Sequence, residues 1–242
     1  MSEMPAGRGV IPAVSQLPLF ARTAEARSPI LDVHAISRPA RGFTGDFYFT
    51  HRQGTRLWFA LGDVAGKGIN AAVVMAMIQE ELERRITSCA RTECDPAATV
   101  TRLHEFLRPL LPSNRFATVI IGHLHDDGTL RIANGGHCPA LIARSAGTVE
   151  QIGSTGPVAG LIAGTWTSVR ANLRKGDKLV LFSDGLVEGR SPDGEEFGLD
   201  RVVEIASRPG RARETITRLA TAFDSHTVRR RDDDLTIFAA VR

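Results

Sequence analysis

The feature that most constrains this chain is the stretch 57–80, LWFALGDVAGKGINAAVVMAMIQE, in which a strand pattern passes directly into a helix pattern. Its apolar run at 57–61 ends in Gly62-Asp63, and a glycine-rich turn at 64–68 precedes the apolar helix. The pattern predicts a carboxylate at the end of a buried strand, beside backbone that glycine allows to approach closely. A buried charge is costly unless a cation pairs with it, so Asp63 is a candidate metal ligand.

The composition is typical of a globular protein with one large domain. The 242 residues are 43% hydrophobic and 24% charged, which suffices for a substantial core. A net charge of +3 and an aromatic content of 6% do not favour nucleic acid as a partner. The longest apolar run, 71–78, is too short to cross a membrane, and no signal peptide is recognisable, so no membrane partner is expected.

Cysteine usage and the N-terminal composition suggest the compartment and the domain boundary. Three cysteines without a CxxC pair are typical of a reducing compartment, so we expect a cytoplasmic protein without a disulfide framework. Residues 1–28 are rich in Pro, Ala, Gly and Arg and lack sustained periodicity, which predicts a flexible leader or linker. The remaining residues, 29–242, are expected to form a single domain.

The hydrophobic periodicities predict separate blocks of strands and helices. Their order is strands, two helices, strands, two helices and a last strand, which favours antiparallel sheets covered by helix pairs. We therefore predict an α+β fold, an α-β-β-α sandwich of two mainly antiparallel sheets flanked by helix pairs. The expected strands are 30–36, 43–51, 56–62, 116–124, 129–133, 140–143, 165–173, 178–183 and 235–241, and the expected helices are 69–89, one from Pro96 that ends before Pro112, 199–207 and 212–226.

The first hairpin opposes two carboxylates. If Gly54-Thr55 forms a two-residue turn, cross-strand partners have residue numbers that sum to 109, and Asp46 faces Asp63. Two carboxylates opposed across a hairpin repel each other, and a cation between them reverses that cost. The hairpin thus adds Asp46 to the candidate ligands.

Four aspartates share this placement at strand ends. Asp63 and Asp184 follow apolar strands, whereas Asp46 and Asp233 stand at or near the starts of others. In antiparallel neighbours the end of one strand lies at the same edge as the start of the next. All four side chains are expected to converge on one rim, where clustered carboxylates suit Mg²⁺ or Mn²⁺ better than zinc.

Six segments in order carry a resemblance to a known family. The chain resembles the PPM (type 2C-like) metal-dependent protein phosphatases, in particular the bacterial SpoIIE/RsbU branch. The segments are RPARGFTGDFY (38–48), GDVAGKGINAAVVM (62–75), ANGGHCPAL (133–141), LFSDGLVEG (181–189), EFGLDRV (196–202) and DDLTIF (233–238).

The resemblance implies hydrolysis of phosphoserine or phosphothreonine with two Mn²⁺ or Mg²⁺ ions and a bridging water. The implied metal ligands, which also form the catalytic set, are Asp46, Asp63, Asp184 and Asp233, together with the backbone carbonyl of Val64. The implied substrate is a phosphoserine on a small anti-anti-sigma-factor-like (STAS) regulatory protein in a partner-switching pathway. The rival interpretation is a binding module of the same fold that sequesters a signalling partner with little or no catalysis.

Three positions need separate comment. Phe49 stands where the family usually has a second Asp, and Ala65 replaces the His of eukaryotic relatives, which leaves the general acid unidentified. Arg41 precedes Asp46 by five residues, an offset resembling that of the phosphate-binding arginine in eukaryotic relatives. The alternative for Arg41 is an ordinary surface arginine.

Other patterns suggest a regulatory element and competing sites. The helix 69–89 starts at the turn that carries Asp63, so it is a candidate lever for an activator protein or for self-association. The basic run 229–231 is a solvated loop or a guide for an anionic phosphoprotein.

Two rival sites have weaker support. The turn 62–68 is not a P-loop, because Gly68 stands where that motif needs Ser or Thr. A zinc set of His123, His125, His137 and Cys138 is a minor alternative, because its spacing matches no standard pattern.

Overall fold

The structure, a computed structural model, describes residues 22–27, 30–40, 44–66, 68–89, 94–228 and 232–242. It contains eleven strands in these ranges: β1 (Arg22–Arg27), β2 (Asp32–Arg38), β3 (Phe47–Gln53), β4 (Arg56–Val64), β5 (Ala117–His125), β6 (Thr129–Gly135), β7 (Ala140–Ala143), β8 (Val149–Ile152), β9 (Val169–Asn172), β10 (Lys178–Phe182) and β11 (Leu235–Val241). The helices in the same ranges are α1 (Ile69–Ser88), α2 (Pro96–Leu107), α3 (Asp184–Val187), α4 (Leu199–Ser207) and α5 (Ala212–His226).

The strands form two antiparallel sheets. The first sheet has the order β1-β2-β11-β10-β7-β8, and the second has the order β3-β4-β5-β6-β9. Helices α4 and α5 pack on the first sheet, and α1 and α2 pack on the second. This is the predicted α-β-β-α sandwich, and the antiparallel pairing follows from the blockwise order of the elements.

Three apolar layers hold the sandwich together. One layer lies between the sheets and includes Phe59 and Phe238, whose rings stack at 5.4 Å. The second fills the space between the β3–β9 sheet and the helices α1 and α2, and the third lies beneath α4 and α5. Because both sheets are covered on both faces, the central strands β4, β10 and β11 read as continuous apolar runs.

The alternation along β4 shows which residues face the space between the sheets. Leu57, Phe59 and Leu61 belong to the inter-sheet layer, whereas Trp58 and Ala60 face the helices. Successive side chains of a strand point to opposite faces, so the side chain two residues beyond Leu61 continues the inter-sheet row. That side chain is Asp63, at the rim of the sandwich.

The predicted register of the first hairpin is confirmed. Phe47 pairs with Gly62 and Gln53 pairs with Arg56, so partner numbers sum to 109. Gly54, in the two-residue turn, has a φ of 59°, which suits the left-handed conformations that tight hairpin turns need. Past the ladder, Val64 N–H donates to Gly45 O at 3.3 Å, which extends the register beyond Asp46.

The structure corrects several sequence-based expectations. The residues of β1 were expected to be part of the leader, but they pair with β2 in the first sheet. The first strand after them spans Asp32–Arg38 instead of 30–36. The strand expected at 165–173 is only four residues long, and β8 and α3 were not predicted.

Cys89, after α1, and Cys94, before α2, lie close in space, with Cα atoms 6.1 Å apart, a separation that a disulfide can span. Cys138 is a free cysteine. Among the described helices, none is long and apolar enough to span a membrane.

Candidate metal centre

The β3–β4 hairpin brings Asp46, Asp63 and the carbonyl of Val64 together around a glycine. A Cβ atom on Gly45 would lie 2.7 Å from Asp63 Oδ1 and 2.9 Å from Val64 O, both closer than real Cβ contacts allow. Glycine at position 45 is therefore needed for this close approach. Two of the predicted ligand atoms thus lie beside the residue that immediately precedes Asp46.

Asp46 is the most deeply buried of the four aspartates predicted as ligands. Its side chain is 3% exposed, and its Oδ2 atom is buried without a hydrogen-bond partner. Burial, and then the neighbouring charge of Asp63, raise the pKa of Asp46 well above its ordinary value. A buried carboxylate oxygen without a partner is costly, and a cation would remove that cost.

Asp63 is destabilised in its charged form by the same surroundings. Burial, together with the charges of Asp184 and Asp233, raises the pKa of Asp63 to about 7. These Coulombic effects show that the ends of β4, β10 and β11 come near one another. That all four aspartates share one metal-binding rim stays a prediction.

The other half of the rim comes from the first sheet. Asp184 directly follows Ser183, the residue after β10, and opens the short helix α3. A Cβ atom on Gly185 would lie 2.0 Å from Asp234 O, so this glycine allows the chain after Asp184 to pack on the segment before β11. Burial and then the charge of Asp233 raise the pKa of Asp184.

These residues fit a hard divalent cation. Their donors are carboxylate and carbonyl oxygens, which Mg²⁺ and Mn²⁺ prefer, and one of them is a buried oxygen without a partner. In the described part of the chain, no three His, Cys, Asp or Glu side chains already form a group that could hold an ion. The fit therefore rests on donor type, burial and repulsion between the carboxylates.

Two residues at the rim escaped the sequence analysis. Arg115, in the loop after α2, donates from Nη1 to Ala65 O at 2.7 Å and covers Gly66, where a Cβ atom would lie 1.6 Å from that nitrogen. Asp234, adjacent to Asp233, binds the backbone of the segment before Asp46. No spacing rule pointed to either residue, because both act on backbone groups that are distant in the chain.

The histidines considered for zinc are separated by the fold. His123 packs edge-on against Trp58 with ring centroids 4.8 Å apart, on the face covered by helices. His137 instead contacts Thr118, whose Oγ1 lies 2.9 Å from Nδ1. Because Thr118 and His123 are five residues apart on β5, their side chains point to opposite faces, so the four-residue zinc set is wrong.

The remaining site predictions lie outside the described residues. Arg41, the candidate phosphate-binding residue, and the basic run 229–231 fall in ranges that the structure does not describe. Their roles stay predictions from the sequence.

A two-sheet sandwich flanked by helix pairs, with carboxylates at the rim between the sheets, places the chain in the PP2C fold class. The family model for Stage II sporulation protein E (SpoIIE) matches residues 53–242. The chain therefore belongs to the SpoIIE family.

Individual relatives agree with this assignment. Phosphoserine phosphatase RsbU of Bacillus subtilis is 30% identical over 179 residues, which cover 72% of this chain and 52% of RsbU. The structure of the PP2C phosphatase domain of SpoIIE from Bacillus subtilis, solved with a fragment of its regulatory domain, has a TM-score of 0.76 at 18% identity, covering 92% of this chain and 71% of that one. The structure of RsbX in complex with magnesium has a TM-score of 0.71 at 17% identity, covering 91% of this chain and 99% of that one. The chain spans about half or less of the length of the curated relatives that it matches.

Proposed function

We propose that this protein is a protein-serine/threonine phosphatase that hydrolyses phosphoserine on a bacterial regulatory protein with the help of two Mn²⁺ or Mg²⁺ ions. The observation that carries the proposal is that negative charge is unfavourable on the buried carboxylates at the rim. Asp46 Oδ2 is buried without a hydrogen-bond partner, and the pKa of Asp63 is raised to about 7. Such a cluster lowers the stability of the fold unless a cation neutralises it.

Each residue has a role in this proposal. Asp46, Asp63, Asp184 and Asp233 hold the ions with their carboxylates, and Val64 does so with its backbone carbonyl. When bound, two such ions activate a bridging water and neutralise charge on the transferred phosphoryl group. The His of eukaryotic relatives is Ala65 here, so the proton for the departing serine comes from water or from a group not yet identified.

The proposed substrate is a phosphoserine on a STAS-like anti-anti-sigma protein. The relative RsbU is a phosphoserine phosphatase by name, which favours phosphoserine over a free metabolite. The proposed site lies on the rim of the sandwich, a position that suits a residue presented on a protein surface. Arg41 is proposed to bind the substrate phosphate, because a guanidinium donates two parallel hydrogen bonds to phosphate oxygens.

A second protein is proposed to act through α1. This helix follows the turn that carries Asp63 and Val64, so a shift of its axis would displace two proposed ligands. It also exposes two apolar side chains near that turn, Ile69 at 61% and Val73 at 54%. Exposed apolar side chains on a helix suit an activator protein or a second copy of this chain.

The test compares hydrolysis of p-nitrophenyl phosphate and of a phosphorylated STAS protein in the presence of Mn²⁺. We expect the phosphoprotein to have the much higher kcat/KM, and Asp184→Ala to abolish both reactions while the fold is retained. Asp193→Ala, which removes an exposed carboxylate in the turn between α3 and α4, should leave both rates unchanged.

Two results would contradict the proposal in different ways. Equal kcat/KM values for the two substrates would refute the assignment to a phosphoprotein. Tight binding of the phosphoprotein without turnover in Mn²⁺ or Mg²⁺ would instead identify a binding module that sequesters its partner.

A further inference from the structure

Asp234 holds the segment that leads to Asp46. Its Oδ1 accepts a hydrogen bond from Ala40 N–H at 2.8 Å, and its Oδ2 accepts one from Gly45 N–H at 3.2 Å. The two amides flank the part of the chain between β2 and β3, five residues apart. One carboxylate therefore ties both ends of this segment to the start of β11.

The backbone of Asp234 contacts the other half of the rim. Its carbonyl accepts from Ser183 Oγ at 3.3 Å, and Gly185 packs closely on the same carbonyl. Its N–H donates to Asp233 Oδ1 at 3.0 Å. Asp234 thus contacts residues next to Asp46 and Asp184 as well as Asp233 itself.

The side-chain direction of Asp234 agrees with this bridging position. Along β11, Phe238 and Ala240 face the inter-sheet layer, and Thr236 continues the same row. The alternation, continued to the residue before β11, places the side chain of Asp234 on that inner face. The side chain of Asp233 then points to the opposite face. Two adjacent aspartates therefore occupy different environments.

The bonding of Asp234 also differs from that of Asp46. Both oxygens of Asp234 accept backbone N–H groups, a charge-assisted arrangement that fixes the segment they belong to. In Asp46, by contrast, Oδ2 is buried without a partner. The first pattern suits a group that orients its neighbours, and the second suits a group that awaits a cation.

We propose that Asp234 is a positioning residue that places Asp46 for metal binding and is not itself a metal ligand. The proposal rests on the proposed function in one respect, since it takes Asp46 as a ligand. Partners that orient metal ligands typically contribute 10- to 100-fold to metal affinity, and we expect a loss of about that size when Asp234 is replaced.

The experiment compares Asp234→Asn with Asp233→Asn in the full chain. An asparagine at 234 replaces one of the two carboxylate oxygens with an NH2 donor, so at least one of the two amides loses its acceptor. We expect Asp234→Asn to speed hydrogen exchange at the amide of Ala40, of Gly45 or of both in the metal-free protein. It should also raise the Kd for Mn²⁺, measured by calorimetry, by about 10- to 100-fold.

Asp233→Asn serves as the matched control, because it removes a proposed ligand but keeps Oδ1 as an acceptor for the amide of Asp234. It should weaken Mn²⁺ binding while the amides of Ala40 and Gly45 stay protected. If Asp234→Asn does not fold, Asp234→Ser, which also has one oxygen acceptor, takes its place.

The outcomes separate three readings of Asp234. Weaker Mn²⁺ binding with both amides still protected would make Asp234 a ligand and overturn the proposal. Faster exchange with unchanged Mn²⁺ affinity would make its role purely structural, which also overturns it. A wild-type protein that binds no Mn²⁺ would instead refute the proposed function.

Discussion

Replacing Asp63 with asparagine should stabilise the metal-free protein at high pH and leave it nearly unchanged at low pH. The reason is the pKa of Asp63, which burial and three neighbouring aspartates raise to about 7 from an ordinary value of 3.8. Folding at neutral pH therefore forces a proton onto this group or leaves a disfavoured charge at the rim. Asparagine is neutral at every pH and removes that penalty.

The sign and size of the effect follow from linkage. Between the two pKa values the folded state binds more protons than the unfolded state, so stability falls as pH rises through about 7. For a pKa of about 7 in the folded state, the contribution of Asp63 to the free energy of unfolding falls by about 2.5 kcal/mol between pH 5 and pH 8. The charge of Asp63 also raises the pKa of Asp46, so its removal lowers that second penalty in the same direction.

Urea denaturation in the presence of EDTA, followed at about pH 5, 6, 7 and 8, measures the effect. Wild-type protein should lose stability across this range relative to Asp63→Asn, and the difference between the two should grow by about 2.5 kcal/mol. Asp193→Asn removes an exposed carboxylate and serves as the charge-matched control. Parallel curves for wild type and Asp63→Asn would refute the argument that Asp63 carries a disfavoured charge.

Three further predictions concern the residues around the rim. Arg41→Ala should raise KM for the phosphoprotein with little change in kcat, because uniform binding of a phosphate lowers KM alone; steady-state kinetics check this. Arg115→Ala removes the hydrogen bond to Ala65 O and should raise the Kd for Mn²⁺ about fivefold, equivalent to about 1 kcal/mol, as calorimetry would show. Hydrogen exchange in α1 should slow when the activating partner binds; exchange as slow as in the central strands both with and without the partner would argue against α1 as a lever.

The architecture of the sandwich was largely predictable because its elements carry strong local patterns. The bounds of α4 and α5 agree with the sequence-based prediction, since each has an apolar stripe at helical spacing. The register of the first hairpin followed from one two-residue turn, which leaves no freedom in the pairing of β3 with β4. Local periodicity and turn length therefore determined the layers and placed Asp46 opposite Asp63.

The missed elements are those without a pattern of their own. Helix α3 has four residues, too few to show a helical period, and its place is set by the packing of Gly185 against Asp234. Strand β8 lies at a sheet edge and has two exposed polar residues, so its sequence reads as a loop. Strand β1 forms through pairing with β2, and its sequence, RTAEAR, has no large apolar residue that would predict a strand.

The different environments of Asp233 and Asp234 could not be predicted from the sequence, for a related reason. The run at 232–234 has three identical side chains, and only the alternation along β11 separates the one that faces the inter-sheet space. The partners of Asp234 are 194 and 189 residues away in the chain, so no spacing rule could find them. The tertiary fold alone assigns different environments to Asp233 and Asp234.

The placement of the site across two sheets connects these observations to regulation. Asp46, Asp63 and Val64 come from the sheet that carries α1, whereas Asp184 and Asp233 come from the sheet that carries α4 and α5. An ion held by all of them would depend on the relative position of the sheets, which share only the apolar layer and contacts such as those of Asp234. A partner that shifts α1 would therefore change metal affinity without touching the rim. Under the proposed function, this arrangement would let a helix on the outer face of one sheet control a site at its edge.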